Sequence, residues 1–303
     1  MPYHEGERRV QERAGVREMA GRIGRSIRSE VPDRAADFLA VQRMLVVGTV
    51  DDGGRPWASI FTGRPGFVTA PDPGTVIIEA ALPRDDPAAA GLRTGAPIGT
   101  LAIDLGTRRR ARVNAVIRSA IDDHISIGVQ ESYANCPKYI QRRTETGADD
   151  AQAVDLPARQ EAARSGPSLT AAQAGVISRV DTFFVATTAP GAGTDASHRG
   201  GNPGFIRVTP HDIVWPDYVG NSMFNTLGNI EVYGRAGLAF VGFDDGTLLQ
   251  VTGAASLDWN PRRVAEFQGA ERLVRLEVER VVESTRRLPS PLELVEYSPF
   301  NPG

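Results

Sequence analysis

The chain repeats itself. Shifted by 138 positions, Met44-Leu-Val-Val-Gly-Thr49 falls on Thr182-Phe-Phe-Val-Ala-Thr187. Ala58-Ser59 then falls on Ala196-Ser197, and Gly63-Arg-Pro-Gly-Phe67 on Gly201-Asn-Pro-Gly-Phe205. Gly99 meets Gly237, Ile103 meets Val241 and Val113 meets Val251, with no gap. A fixed internal period marks one structural unit used more than once. Its 303 residues give room for two units of ordinary domain size. Unrelated β-rich segments share short look-alike runs, but rarely a whole Ala-Ser…Gly-x-Pro-Gly-Phe string at one offset.

Each copy reads as β structure. Leu45 to Val50 and Phe183 to Thr188 are β-branched and aromatic runs that end in turn clusters, Asp51-Asp-Gly-Gly54 and Pro190-Gly-Ala-Gly193. Phe67-Val68, Val76 to Glu79, Ile98 to Asp104 and Arg112 to Arg118 continue the first copy. Phe205 to Val208, Ile213 to Trp215, Ala236 to Phe243 and Leu248 to Thr252 continue the second, and Leu273 to Val282 alternates as a half-buried strand should. Many short strands with Gly/Pro turns predict barrels, whose closure removes exposed edges. Gly191-Ala-Gly193-Thr-Asp-Ala196 matches the dinucleotide fingerprint, but no helix-forming run follows it, so it is read as a hairpin.

The flanks differ. Val10 to Gln42 carries Val16, Met19, Ile23 and Ile27 at helical intervals, predicting one or two amphipathic helices. Thr144 to Ser168 is poor in apolar bulk and reads as a linker, followed by a short helix over Thr170 to Ile177. The tail, Ser298 to Pro302, should be irregular. The domain boundaries expected are an N-terminal helical extension over 1–37, a first barrel over 38–143, linker and lead-in helix over 144–174, and a second barrel over 175–303.

Composition excludes several function classes. A net charge of −3 with interspersed signs offers no steering toward nucleic acid or anionic membrane. No segment approaches the ~18 unbroken apolar residues of a membrane span. Met1 to Gly15 is charged and has no apolar stretch of the kind a secretory signal needs. A single cysteine, Cys136, forbids an internal disulfide and fits a cytoplasmic location. The histidines His4, His124, His198 and His211 lack metal-ligand spacing, so no metal site is expected. A Gly-x-Ser-x-Gly elbow is also missing. Chemistry here points to a bound organic cofactor.

Phe38-Leu-Ala-Val-Gln-Arg43, then Leu45 to Ser59 ending in Gly-Arg-Pro-Trp-Ala-Ser, resembles the opening of pyridoxamine 5′-phosphate oxidase-like split barrels. Asp195 to Arg207 and Gly220 to Ile230, followed by Arg235-Ala-Gly-Leu-Ala-Phe240, are similar to that family's flavin-side loop, helix and strand. The resemblance implies a mainly β fold with flanking helices (α+β): two tandem FMN-binding split β-barrels. Members typically dimerise with flavin between barrels, so two barrels in one chain imply an intramolecular pseudo-dimer. A further homodimer stays open. FMN is the implied cofactor; relatives bind a deazaflavin coenzyme, FAD or heme. The implied partner is a small-molecule substrate.

The candidate site residues follow from donor chemistry. Ser197, His198 and Arg199, then Gly200 and Gly201, supply donors on a backbone that permits close approach. Asn202 belongs to the same string. Asn225, Thr226 and Asn229 sit where a helix start would favour an anion. The first copy has Ile60, Phe61, Pro87, Ala88 and Gly91 opposite His198, Arg199, Asn225, Thr226 and Asn229. That asymmetry predicts one flavin site per chain. Arg108, Arg110 and Arg112 alternate along a strand and could converge on an anion, or form a solvated hairpin. Asn135 to Gln141, with Pro137 in its first turn, predicts a helix start offering Lys138 and Gln141 to a phosphate or carboxylate. Cys136 there is either reactive or inert. His198 is the one acid–base candidate. The reading is an FMN-dependent oxidoreductase of unidentified substrate. The alternatives are a non-catalytic flavin- or heme-binding protein and a deazaflavin-dependent reductase.

Overall fold

A computed structural model describes residues 3–146, 163–285 and 291–303. Three short helices come first, α1 (Glu5–Arg13), α2 (Arg17–Ile23) and α3 (Asp33–Ala40). The first barrel holds β1 (Met44–Val50), β2 (Pro56–Thr62), β3 (Val68–Asp72), β4 (Thr75–Glu79), β5 (Pro97–Asp104), β6 (Arg109–Ile121) and β7 (His124–Ala134). β8 (Arg142–Glu145), β9 (Arg164–Gly166) and α4 (Ala171–Ile177) connect the halves. The second barrel holds β10 (Thr182–Ala189), β11 (Gly193–Gly200), β12 (Arg207–Val208), β13 (Asp212–Asp217), α5 (Asn225–Tyr233), β14 (Arg235–Val241), β15 (Thr247–Asp258), α6 (Pro261–Val264) and β16 (Arg272–Thr285). β17 (Leu292–Glu296) returns to pair with β8.

The repeat is visible in hydrogen bonding. The first sheet runs β2-β1-β5-β6-β7-β4-β3 and the second β11-β10-β14-β15-β16-β13-β12, the same order at equivalent positions. Each encloses its own core, one around Trp57, Phe61 and Ile78, the other around Phe183, Trp215 and Phe240. The constant offset ends after β6. Val113 pairs with Ser132, but its counterpart Val251 pairs with Val281, because the second copy inserts a segment containing α6 before its last long strand. β7 lies past that break and outside the runs read from sequence.

A third apolar cluster joins the barrels. Val46, Leu101 and Ile103 from the first pack with their repeat counterparts Phe184, Ala239 and Val241. The backbones approach so closely that only glycine fits at two equivalent points. A Cβ on Gly99 would lie 2.7 Å from the backbone of Asp195 and Ala196, and one on Gly237 would lie 2.3 Å from the Pro56 carbonyl. Burying one apolar surface inside a single chain makes the pairing intramolecular and raises its effective concentration. The halves form a pseudo-dimer.

Two local readings need correction. Val10 to Gln42 contributes to three short helices, not one or two, because Gly15 at φ +70° and Pro32 interrupt the periodic run. Asn135 to Gln141 is a turn and contains no helix. Tyr139 adopts φ +65°, and its N–H donates to the Ser298 hydroxyl at 3.1 Å instead of to a preceding turn. The helix over Ala171–Ile177 is present, with Thr170 and Gln173 forming a reciprocal cap. Gly193 pairs with Ala189 across a hairpin, so the dinucleotide fingerprint is a turn. Much of the linker read over 144–168 lies outside the described residues. Among the described residues no helix is long and apolar enough to cross a membrane.

Candidate functional site

β11 is the edge strand of the second sheet. An edge strand leaves one side unpaired, and here β5 and β6 of the first barrel pack along it. A cleft forms between them. Arg110, Arg112, Cys136 and Lys138 line it from the first barrel. Ser197, His198, Arg199, Asp217, Asn225 and Thr226 line it from the second. The enclosed volume is about 100 Å³, enough for a group of phosphate size.

One wall is a closed network. Arg112 Nη1 pairs with Asp195 Oδ1 at 2.8 Å, and Nη2 donates to Ser197 Oγ at 2.7 Å. Ser197 donates to Asp195 Oδ2 at 3.0 Å, and Thr226 donates to the same oxygen at 3.2 Å. Burial alone would depress the Arg112 pKa, but Asp195 and Tyr133 outweigh it and hold it above the ordinary value. These groups stabilise one another and leave Arg112 Nε without a partner.

Arg110, two residues away on the same face of β6, lacks such compensation. Arg110 Nη1 donates to His198 Nδ1 at 3.2 Å, and Arg110 has no carboxylate partner among the described residues. Burial first, then Arg112 and Arg199, push its pKa down to about 9. Burial, Arg110 and Arg199 hold His198 well below its ordinary value, so the ring is neutral. Because a guanidinium only donates, Nδ1 accepts and the ring proton sits on Nε2. That Nε2 is buried and unpartnered. Arg199 lies 3.4 Å from Asp217, which Arg272 also approaches at 3.6 Å. Lys138 lies over the Phe300 ring at 5.5 Å.

α5 points its N-terminus into the same cleft. Its first residues, Asn225 and Thr226, line the cavity, and no side chain caps it. The N-cap residue, Phe224, has φ +63°. Uncapped N–H groups with the helix dipole behind them favour an anion. The same place in the first copy is built differently. Its counterpart to Phe224 is Asp86, whose carboxylate caps the 3₁₀ turn Pro87–Gly91 by accepting from Ala88 N at 2.8 Å. Asp86 also accepts from Gln250 at 3.0 Å and from Ser59. Gln250 is the counterpart of Arg112, and buried Leu248 the counterpart of Arg110. A protein carboxylate thus occupies in one copy the position that the other leaves open.

Several candidates lie elsewhere. Arg108 sits in the turn before β6 at φ +54° and bonds Ile140 O and Glu296, so it does not share the cleft with Arg110 and Arg112. Gln141 is buried and accepts from Ser298 N at 2.7 Å, tying down the C-terminal tail. Asn202 donates to Pro302 O at 2.9 Å, and Asn229 donates to Thr187 Oγ1 at 3.0 Å. Asp195, Asp217 and Phe224 line or brace the cleft without having been singled out in sequence. Alternation along β11 put Asp195 on one face with Ser197 and Arg199 and was the available signal. Gly200 sets the mouth: a Cβ there would lie 2.0 Å from the Tyr139 carbonyl.

Two equivalent sheets joined across an interdomain cleft decide the architecture. The fold is a tandem pair of split β-barrels of one strand order. No protein-family model matches the sequence, and no curated protein does. Solved structures similar to it each correspond to under half of the chain. HupZ from Group A Streptococcus is 15% identical over 41% of this chain and 98% of its own, with a TM-score of 0.32. An FAD-binding protein from Mycobacterium smegmatis is 15% identical over 40% of this chain and 100% of its own, with a TM-score of 0.29. HutZ, the heme storage protein from Vibrio cholerae, is 16% identical over 33% and 89%, with a TM-score of 0.23.

Proposed function

We propose that this chain is an FMN-dependent oxidoreductase that binds one flavin between its split barrels, with the flavin phosphate in the cleft. The observation that carries the reading is the uncapped α5 N-terminus beside Arg110, matched in the first copy by Asp86 as a built-in cap. A phosphate would pair with Arg110, Lys138 and the α5 N–H groups and relieve the crowding of cations. A bound flavin supplies reversible electron uptake. Arg112 and its partners hold the wall rigid. His198 keeps a proton at Nε2 and offers it as a donor into the cleft, with Arg110 fixing the tautomer.

The same tautomer weighs against His198 as a heme ligand, because ligation needs the Nε2 lone pair. A non-catalytic flavin carrier is the second reading. It is favoured by one observation: Arg110 occupies His198 Nδ1, so the neutral ring, the acid–base candidate, has no free lone pair with which to accept a proton. Reconstitution with FMN, FAD, a deazaflavin coenzyme and heme, followed by quantification per chain, tests both readings. One FMN per chain that bleaches with reductant and reoxidises in air supports the enzyme. FMN that binds but does not cycle supports the carrier. Two flavins per chain, or none, would sink the site.

A further inference from the structure

A larger cavity adjoins the cleft, sharing Arg110 and Asn135 with it. It opens between the N-terminal extension and the ends of β6 and β7, with a volume of about 580 Å³. That is within the range of small-molecule sites. Five arginines line it, Arg28, Arg34, Arg108, Arg109 and Arg110, and no aspartate or glutamate does. Arg108 pairs with Glu296 at 2.8 Å. Arg109 lies over the Phe38 ring at 5.0 Å. Arg28, Arg34, Arg109 and Arg110 have no carboxylate partner among the described residues. The rest of the lining includes Phe38, Ala35, Pro32 and Pro137, so the cavity has an apolar floor.

Cations on an apolar floor select a specific chemistry. Like charges held round one concavity repel, and an entering anion relieves that repulsion. The apolar floor adds area-dependent affinity for an organic body, which inorganic phosphate lacks. We propose that this cavity binds a small organic anion with an apolar, ring-bearing body, beside the cofactor cleft and separately from it. Its use as the substrate pocket rests on the oxidoreductase reading; the binding itself does not. Arg110, common to both cavities, would place the anionic end next to the cofactor. The α2–α3 segment then has a role the barrels alone cannot fill, since Arg28 is bridged to Ser132 of β7 through N–H···O bonds of 3.1 and 2.7 Å.

The test uses the full chain with anilinonaphthalene sulfonate, an apolar ring system bearing one anion, and with phenylnaphthylamine, its neutral counterpart. Fluorescence titration should show one sulfonate site per chain. Affinity should fall roughly tenfold in the R28Q/R34Q double variant, as expected for losing two rim charges. R109Q should weaken it too, and neutral-probe affinity should not change. Arg28 and Arg34 are exposed, so the variants should keep the wild-type melting temperature. FMN retention, read separately by absorbance, should be unchanged because neither residue lines the cofactor cleft. Unchanged sulfonate affinity in both variants would overturn the proposal, as would a neutral probe bound equally well. Displacement of the sulfonate by FMN would place it in the cleft and overturn it also. A wild-type chain that binds the sulfonate but no FMN would refute the cofactor reading alone, whereas loss of FMN in the R28Q/R34Q variant would overturn the separation of the two sites.

Discussion

Replacing Arg110 with Met should strengthen the fold and weaken ligand binding at once. The guanidinium is desolvated, faces Arg112 and Arg199, and has only a neutral imidazole as partner. Leaving a charge buried without a counter-ion costs on the order of 1–3 kcal/mol after relaxation. Met fills similar space without that cost. His198 Nδ1 loses its donor, which offsets about 1 kcal/mol. The net gain for the ligand-free chain is about 1 kcal/mol, or roughly 2–4 °C in Tm for a unit of this size. Binding moves oppositely. A charged hydrogen bond to phosphate contributes about 1.5–3 kcal/mol, so R110M should raise the Kd for FMN roughly 10- to 150-fold. Differential scanning fluorimetry without ligand and calorimetric titration with FMN measure the two effects. The sign with pH is also fixed. Because the folded-state pKa lies below the unfolded one, unfolded chains bind more protons above about pH 9. Stability from this group is therefore lowest below that pH and recovers as pH rises toward the ordinary arginine value. An R110M chain that melts lower and binds FMN as tightly as wild type would refute the reasoning.

Glu7 gives a second pH handle. Burial raises its pKa to about 8, with His4 N and Asn225 as hydrogen-bond donors. A carboxyl raised in the fold stabilises fully below its unfolded pKa and loses that contribution as pH rises through the folded value. Wild-type stability should therefore decline between about pH 4.5 and 8, and E7Q should flatten that slope in urea titrations. R199A should raise the Kd for FMN by roughly tenfold or more if the residue meets the phosphate, and F61A should not weaken binding selectively; equal affinities for wild type and R199A would remove Arg199 from the site. G237A places a methyl 2.3 Å from the Pro56 carbonyl. It should destabilise the chain by about 1–3 kcal/mol by overpacking the interface between barrels, and an unchanged Tm would show that the halves are not tightly joined.

The duplication, the β character of both copies and the asymmetry of their polar residues are legible in the sequence. These features are local: turn glycines and prolines, alternation within strands, and identities at a constant offset. β7 escaped because the insertion carrying α6 shifts the alignment just before its counterpart, and comparison at one offset loses the thread. The turn at Tyr139 escaped because an Asn-Cys-Pro-Lys start also suits a helix. Gly200 and the Ser298 hydroxyl, both distant in sequence, impose the turn instead.

Tertiary structure decided which cations meet. Arg108, Arg110 and Arg112 look equivalent in sequence, yet a left-handed residue at the start of the hairpin sends Arg108 to the C-terminal tail. It also decided what fills the vacated site. Asp86 and Phe224 face each other at the 138-residue offset, but an Asp aligned with a Phe signifies nothing until the fold puts both at a helix start. There the carboxylate closes one copy, and its absence leaves the other open. The physical reason is that strand and turn preferences act over a few residues, whereas a charge's partner is whatever folding brings within hydrogen-bond reach.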